Sequence, residues 1–168
     1  KGLLCASFED PNPVVFFEHK ALYRSVQDEI YDDYYTIVIG KARRVKNGSE
    51  LSIITYGAGV HWAMDCTTEM NIDADIIDLR TLLPWDKEAV LYSAIKTGKV
   101  LVLHEDCMTG GFGAEIAAWL SENAFNHLDA PVCRVASLDS PVPFAPELEE
   151  NFLPKQRLKE KLEWLVNY

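Results

Sequence analysis

Three titratable side chains, those of His104, Glu105 and Asp106, directly follow an apolar run at residues 100–103. A short run of this kind is typical of a strand that is buried on both faces. Catalytic groups of open α/β sheets gather beyond the carboxyl ends of such strands, so His104 is a candidate acid or base. No nucleophile or metal-binding partner is recognisable beside it. We therefore favour a histidine that fixes the neighbouring loop by hydrogen bonds.

A glycine-rich turn, TGGFG at residues 109–113, comes next and leads into a segment with helical spacing of apolar residues. Such a turn could hold a phosphate at the amino end of the helix. However, it matches neither the dinucleotide-binding nor the P-loop pattern, and Glu115 in the first helical turn would repel a phosphate. We favour a structural turn and keep a stand-alone nucleotide- or phosphate-binding module as the alternative hypothesis.

Two further groups of polar residues could bind a cation or a protein. Asp10 and Asn12 bracket a proline after a predicted helix end, where exposed carbonyl groups suit a hard cation, although an Asx turn is favoured from the residues alone. Asp129 is either a turn residue or part of an acidic docking face. Asp78 and Arg80 flank the end of a predicted strand and are expected to hold the loop before Pro84.

Alternating strand and helix patterns in the sequence predict the elements that position these residues. Strands that alternate with helices predict an α/β fold with a mostly parallel sheet of three layers and right-handed crossovers. Asp86 is a good N-cap, and Gly98 is suited to end the helix that Asp86 begins. The predicted strands are residues 14–18, 51–56, 75–79, 100–103 and 131–136, with an antiparallel edge strand at 41–45. The predicted helices are residues 1–9, 60–70, 86–98 and a last one from 154. Prolines 141, 143 and 146 predict an extended segment before the last helix.

Composition excludes two classes of partner. The chain has 26 acidic and 16 basic residues and a formal net charge of -10, which would repel nucleic acid and an anionic membrane. No apolar run reaches the length of a membrane span. The acidity suits either solubility or a basic protein partner. Four scattered cysteines favour a reducing, cytoplasmic location, and the missing initiator Met suggests a piece of a longer protein.

Several stretches, in this order, resemble one family. The chain is similar to the carboxyl-terminal half of the beta subunit, or beta-like half, of thiamine-diphosphate-dependent 2-oxo acid dehydrogenases, the decarboxylating component of a multienzyme complex. HED followed by TGGF resembles the branched-chain (2-oxoisovalerate) type more than the pyruvate type. The stretches are EDPNPVVFFEHKALYR, IDLRTLLPWDKE, KTGKVLVLHED, TGGFGAEIAAWL, LDAPVCRVASLDSPVPFAPELEENFLP and VNY.

The resemblance implies a division of the chain. Residues 49–168 would form a transketolase C-terminal-like domain with a five-stranded, mostly parallel sheet. Residues 1–48 would be the end of the preceding pyrimidine-binding domain and its linker. The catalytic residues and the sites for thiamine diphosphate and magnesium would lie outside this chain, so no catalytic residue is assigned here and the isolated chain is expected to be inactive.

The resemblance also implies sites and partners. Ser7, Asp10 and Asn12 match the segment that supplies part of a potassium site. Asp129 and the terminal carboxylate of Tyr168 match the surface that docks the lipoyl-bearing acyltransferase, and the other partner would be the alpha subunit or alpha-like half. Because the predicted helix and strand at residues 1–18 lack partners in the chain, they should expose apolar surface and favour a homo-oligomer.

Overall fold

The computed structural model describes residues 1–168, which form seven helices and five strands. The helices are α1 (Gly2–Glu9), α2 (Leu22–Ser25), α3 (Ala58–Glu69), α4 (Lys87–Thr97), α5 (Gly113–Asn123), α6 (Pro146–Phe152) and α7 (Lys155–Val166), and the strands are β1 (Arg43–Lys46), β2 (Leu51–Thr55), β3 (Ala74–Asp78), β4 (Val100–Cys107) and β5 (Cys133–Ser137).

The five strands form one sheet in the order β1-β3-β2-β4-β5. Strand β1 is antiparallel to β3, whereas the other neighbouring strands are parallel. The predicted architecture, a mostly parallel five-stranded sheet with one antiparallel edge strand, is therefore confirmed. The expected boundary near residue 49 falls between two strands of this one sheet, and the assignment of residues 1–48 to a preceding domain stays a prediction.

Helices cover both faces of the sheet and enclose two apolar cores. Alternate residues of each strand point to opposite faces, so Leu51 and Ile53 lie in the core under α3 and α7, whereas Ile54 lies in the core under α4 and α5. All three side chains are fully buried. The arrangement has the three layers that the alternating pattern predicts.

Helix α4 begins and ends at the residues that its sequence predicts. The Asp86 carboxylate accepts a hydrogen bond from the Ala89 amide at 3.2 Å, and Gly98 adopts a left-handed conformation with φ of 68°. Asp86 also accepts a hydrogen bond from the Ala42 amide at 3.0 Å. The cap therefore also fixes the segment that leads into β1.

A buried polar network joins β1, β3 and α4. The Asp75 carboxylate is fully buried; the Ser93 hydroxyl donates to it at 2.6 Å, and the Arg44 and Lys96 nitrogens lie at 3.0 and 3.4 Å. The Arg44 guanidinium also lies 5.3 Å from the centre of the Tyr92 ring. The antiparallel edge strand is thus held by charge and aromatic contacts in addition to its ladder.

Two predicted elements are wrong. Residues 14–18 form no strand, and Val15 and Phe17 are 77% and 88% exposed, because no other strand of this chain lies beside them. Residues 146–152 form α6, where an extended segment was predicted. Pro146 stands in the first turn of this helix, a position where a missing N–H costs no hydrogen bond.

Two properties of the whole chain complete the description. None of the helices combines the length and the hydrophobicity that a membrane span requires. Cys66 and Cys133 are buried, Cys5 and Cys107 are partly buried, and all four thiols are free.

Candidate functional site

The topology places a switch point between β2 and β4. Strand β3 lies on one side of β2, and β4, which follows β3 in the chain, lies on the other side of β2. Ligands of open α/β sheets bind in the crevice at such a switch point. Here the crevice holds the rings of Tyr56 and His104, which are parallel within 1° and have centroids 6.2 Å apart. The sheet therefore brings the predicted candidate His104 to the position where function is expected.

The glycine turn closes over the His104 ring. Gly111 and Gly113 lie so close to the imidazole that neither position has room for a Cβ atom. The favoured interpretation of TGGFG as a structural turn agrees with this packing, because the close approach of the turn to the ring requires glycine at both positions. No observation favours the alternative of a stand-alone nucleotide-binding module.

His104 is a neutral side chain that solvent does not reach. It is fully buried, neither ring nitrogen has a hydrogen-bond partner, and burial lowers the pKa of its imidazole. Burial likewise raises the pKa of Tyr56 to about 12. The expected hydrogen bonds from His104 to its loop are absent, so the imidazole supports the turn by packing. No substrate reaches the ring in this conformation.

A residue from the amino-terminal arm, residues 10–35, reaches the same edge of the sheet. The His19 Nε2 atom lies 2.7 Å from Glu105 Oε2, and both side chains are partly exposed. Sequence reasoning missed His19, because nothing in the pattern of residues 14–24 connects it with the end of β4. The contact fixes the middle of the arm on the sheet.

An open cleft of about 740 Å³ lies outside the glycine turn. Its walls include Trp85 and Phe112, whose rings meet edge to face with centroids 6.4 Å apart. The Lys87 ammonium lies 5.6 Å from the Trp85 ring centre, and Glu115 stands in the first turn of α5. This is an apolar surface with charges of both signs, which suits a protein contact better than a free anion.

The predicted docking residues lie at the opposite, amino-terminal edge of the sheet. Asp129 is exposed; its amide donates to the Gly98 carbonyl at 2.7 Å, and its carboxylate lies against Gly98. Lys99, next in sequence to Gly98, donates from Nζ to the Val166 carbonyl at 2.9 Å, which brings the end of α7 to this edge. Tyr168 is exposed and its ring centroid lies 4.9 Å from that of Trp164. The fold therefore brings both predicted docking residues to one edge.

The predicted cation segment comprises the end of α1, which contains Ser7, and the turn that follows the helix. The Asp10 carboxylate accepts hydrogen bonds from the Asn12 amide and side chain at 2.9 and 3.0 Å, which forms an Asx turn and lowers the pKa of Asp10. The Ser7 hydroxyl donates to the Leu3 carbonyl. No group of three or more His, Cys, Asp or Glu side chains in the chain is placed to hold a metal ion.

The end of β3 is organised as the sequence predicts. The Asp78 carboxylate accepts a hydrogen bond from the Arg80 amide at 3.1 Å and so fixes the loop that precedes Pro84. Arg80 has a positive φ of 59°, which no local sequence signal predicts. The side chain of Arg80 forms no ion pair.

The fold and its closed carboxyl edge define a doubly wound α/β domain. A family profile described as "Transketolase, C-terminal domain" matches residues 40–157. The chain belongs to the transketolase C-terminal domain family. It also resembles the solved structure of a split-gene transketolase in an inactive beta4 tetramer, with a TM-score of 0.67 and 24% identity over 83% of this chain and 46% of that chain, which supports the fold alone.

Curated relatives are similar over nearly the whole chain. The chain is 43% identical to 2-oxoisovalerate dehydrogenase subunit beta 2, mitochondrial, of Arabidopsis thaliana, over 100% of this chain and 48% of the relative. It is 44% identical to the corresponding beta subunit of Bacillus subtilis over 91% and 48%. It is 42% identical to pyruvate dehydrogenase E1 component subunit beta of Staphylococcus aureus over 98% and 53%. The chain thus spans about half the length of these relatives.

Proposed function

We propose that this chain is the carboxyl-terminal assembly and docking portion of the beta subunit of a 2-oxo acid dehydrogenase. The parent enzyme would oxidatively decarboxylate a branched-chain 2-oxo acid and transfer the acyl group to lipoamide. The observation that carries the proposal is the 43–44% identity to two 2-oxoisovalerate dehydrogenase beta subunits over almost the whole chain.

The arrangement of polar groups supports a role that is not catalytic within this chain. His104, the candidate acid or base, is buried and has no hydrogen-bond partner. Thiamine diphosphate, when bound in the parent enzyme, would supply the electron sink for decarboxylation. The residues of this chain do not fit the magnesium ion that accompanies the cofactor, because no cluster of metal-ligating side chains is present. We propose that residues outside this chain bind both.

The end of α1 and the turn after it are proposed as one part of a potassium site. Ser7, Asp10 and Asn12 correspond to the family segment that supplies such ligands, and the Asx turn at Asp10 fixes its backbone. Residues outside the chain would complete the site. A reducing, cytoplasmic location is a further proposal, supported only by four free thiols.

The partners proposed for the chain are the alpha subunit and the lipoyl-bearing acyltransferase. Asp129 and the carboxylate of Tyr168 are exposed at one edge of a chain with a formal net charge of -10, which favours a basic acyltransferase segment. Asp129→Lys should weaken capture of that segment about tenfold or more at low salt. Asp106→Lys, at the opposite edge, is the matched control. Equal effects of the two variants would show that Asp129 acts only through the net charge of the chain and not through a specific contact.

A chimaeric beta subunit tests the proposal. The first half of the Bacillus subtilis beta subunit is joined to this chain and produced with its alpha subunit, and carbon dioxide release is measured with thiamine diphosphate. We expect the chimaera to decarboxylate 2-oxoisovalerate, and no release when this chain is tested alone. Turnover by this chain alone would refute the assigned role, and a chimaera that binds the alpha subunit but releases no carbon dioxide would refute the assignment of this chain to such a beta subunit.

A further inference from the structure

The amino-terminal segment, residues 1–39, is held together by its own contacts. The Lys1 ammonium donates hydrogen bonds to the three carbonyls of residues 31–33, and the Ile37 amide donates to the Gly2 carbonyl at 3.2 Å. Neither apolar core of the sheet includes a residue before Ala42. Burial in the core therefore does not fix the position of this segment on the sheet.

One polar contact connects this segment with the sheet. Among the hydrogen bonds and ion pairs of the chain, only that between His19 Nε2 and Glu105 Oε2, at 2.7 Å, joins residues 1–39 to residues 42–168. The Nδ1 atom of the same ring is buried and has no partner. The position of the arm over the carboxyl edge therefore depends on a single histidine and a single carboxylate.

The chain enters the sheet through a turn that is fixed on one side only. The Gly40 amide donates to the Thr81 hydroxyl at 3.0 Å, and the Lys41 amide donates to the Val38 carbonyl at 3.3 Å. Gly40 has a φ of 85°, a conformation that glycine adopts readily. Val38, which precedes this glycine, is 69% exposed. The turn can therefore act as a pivot for the preceding residues once the contact of His19 opens.

Glu105 is the only ionic partner of His19. Three other charged side chains are neighbours of the pair in sequence: Glu18, Lys20 and Asp106. The Glu18 carboxylate faces the Tyr23 hydroxyl, and their hydrogen bond raises the pKa of Tyr23. The Asp106 carboxylate accepts a hydrogen bond from the Cys107 amide at 2.8 Å. Lys20 is exposed and forms no ion pair. A positive charge on His19 therefore acts mainly on Glu105.

We propose that His19 and Glu105 form a pH-sensitive latch that holds the amino-terminal segment closed over the carboxyl edge of the sheet. A histidine is ordinarily protonated below about pH 6.5, and a glutamate is ordinarily ionised above about pH 4.3. Between these values the two groups carry opposite charges, which strengthens their hydrogen bond. Above about pH 6.5 the imidazole becomes neutral, the attraction between charges is lost and the segment opens more often. The proposal is independent of the function proposed above.

Trypsin cleavage of the 168-residue chain after Lys20 and Arg24 measures how often the segment is open. The rate for Glu105→Gln is divided by the wild-type rate at the same pH, so the pH dependence of trypsin itself cancels. The glutamine keeps an acceptor for the imidazole N–H and removes only the charge. Because both side chains are partly exposed, we expect a ratio of about three at pH 6 and of about one at pH 8. A ratio of about one at pH 6, or of about three at both pH values, would overturn the proposal.

Three controls separate the latch from general charge and from unfolding. Asp106→Asn removes the neighbouring charge and should leave the cleavage rate at the wild-type value at both pH values. In the His19→Gln background, Glu105→Gln should no longer accelerate cleavage at pH 6, because the positive partner is gone. Cleavage after Lys99, which directly precedes β4, reports global unfolding and should not change. An equal effect of Asp106→Asn, a persistent effect without His19, or faster cleavage after Lys99 in Glu105→Gln would overturn the proposal.

Discussion

His104 acts through its shape, although its residue type suggested chemistry. The ring fills the space under the glycine turn, and its two nitrogens have no partner. A buried polar group without a hydrogen-bond partner normally lowers the free energy of unfolding, so His104 supports the turn at a loss of stability. The cost is reduced because the imidazole is neutral at ordinary pH, as its lowered pKa indicates.

Gly113→Ala should lower the free energy of unfolding by about 2 kcal/mol, because the new methyl group would overlap the His104 ring. Urea denaturation measures the effect. In the His104→Ala background, the same substitution should cost much less, since the obstructing ring is gone. Additive losses in the double variant would contradict this explanation.

Acid should destabilise the folded chain through His104. Its pKa is lowered by burial, so below about pH 6.5 the unfolded chain takes up a proton that the folded chain does not. Stability is therefore complete above that pH and falls toward the lowered pKa, by at most about 1.4 kcal/mol per pH unit from this one group. The free energy of unfolding between pH 5 and 8 should depend less on pH in His104→Leu. Identical slopes would exclude His104 as the source.

At the scale of elements, Asp75 connects the edge strand β1 with helix α4. Its carboxylate is fully buried and lies beside Arg44, Lys96 and Ser93. Asp75→Ala should reduce the free energy of unfolding by about 3 kcal/mol, because two cations lose their shared acceptor. The exposed Asp65→Ala is the control and should stay within about 0.5 kcal/mol. Hydrogen exchange in β1 should accelerate only in the Asp75 variant.

The sheet was predictable from sequence because each buried strand is an apolar run between turn signals. Asp86 and Gly98 were predictable because their side-chain and backbone preferences are local. The segment 14–18 carries the same apolar signal as a strand, but a strand requires a neighbour, which a single sequence pattern does not reveal. Helix α6 was missed because proline is compatible both with an extended segment and with the first turn of a helix. The contact between His19 and Glu105 depends on the tertiary structure alone.

At the scale of the molecule, the carboxyl-terminal and amino-terminal edges of the sheet, where the strands end and begin, differ from each other. The carboxyl edge is closed by the His104 ring, the glycine turn and the arm that His19 anchors. The amino edge exposes Asp129 and the end of α7. This asymmetry agrees with the proposed role in docking, because the edge where doubly wound folds usually bind ligands is occupied by the chain itself.

The amino-terminal arm should drive self-association. Phe16 and Phe17 are 41% and 88% exposed, and neighbouring valines extend the apolar surface. Replacement of both phenylalanines by serine should lower the weight-average mass that sedimentation equilibrium gives at high concentration. Phe125→Ser, at another exposed site, should leave the mass unchanged. A wild-type chain that stays monomeric would contradict the expectation.

The composition of β1 limits how copies of this molecule can associate. The strand reads RRVK, contains a bulge between Arg44 and Lys46, and forms one border of the sheet. Cationic side chains and bulges on an edge strand oppose the addition of another strand to it. We therefore expect that no fibril or continuous intermolecular β-structure grows from this border, and that quaternary contacts are made through helices and the arm.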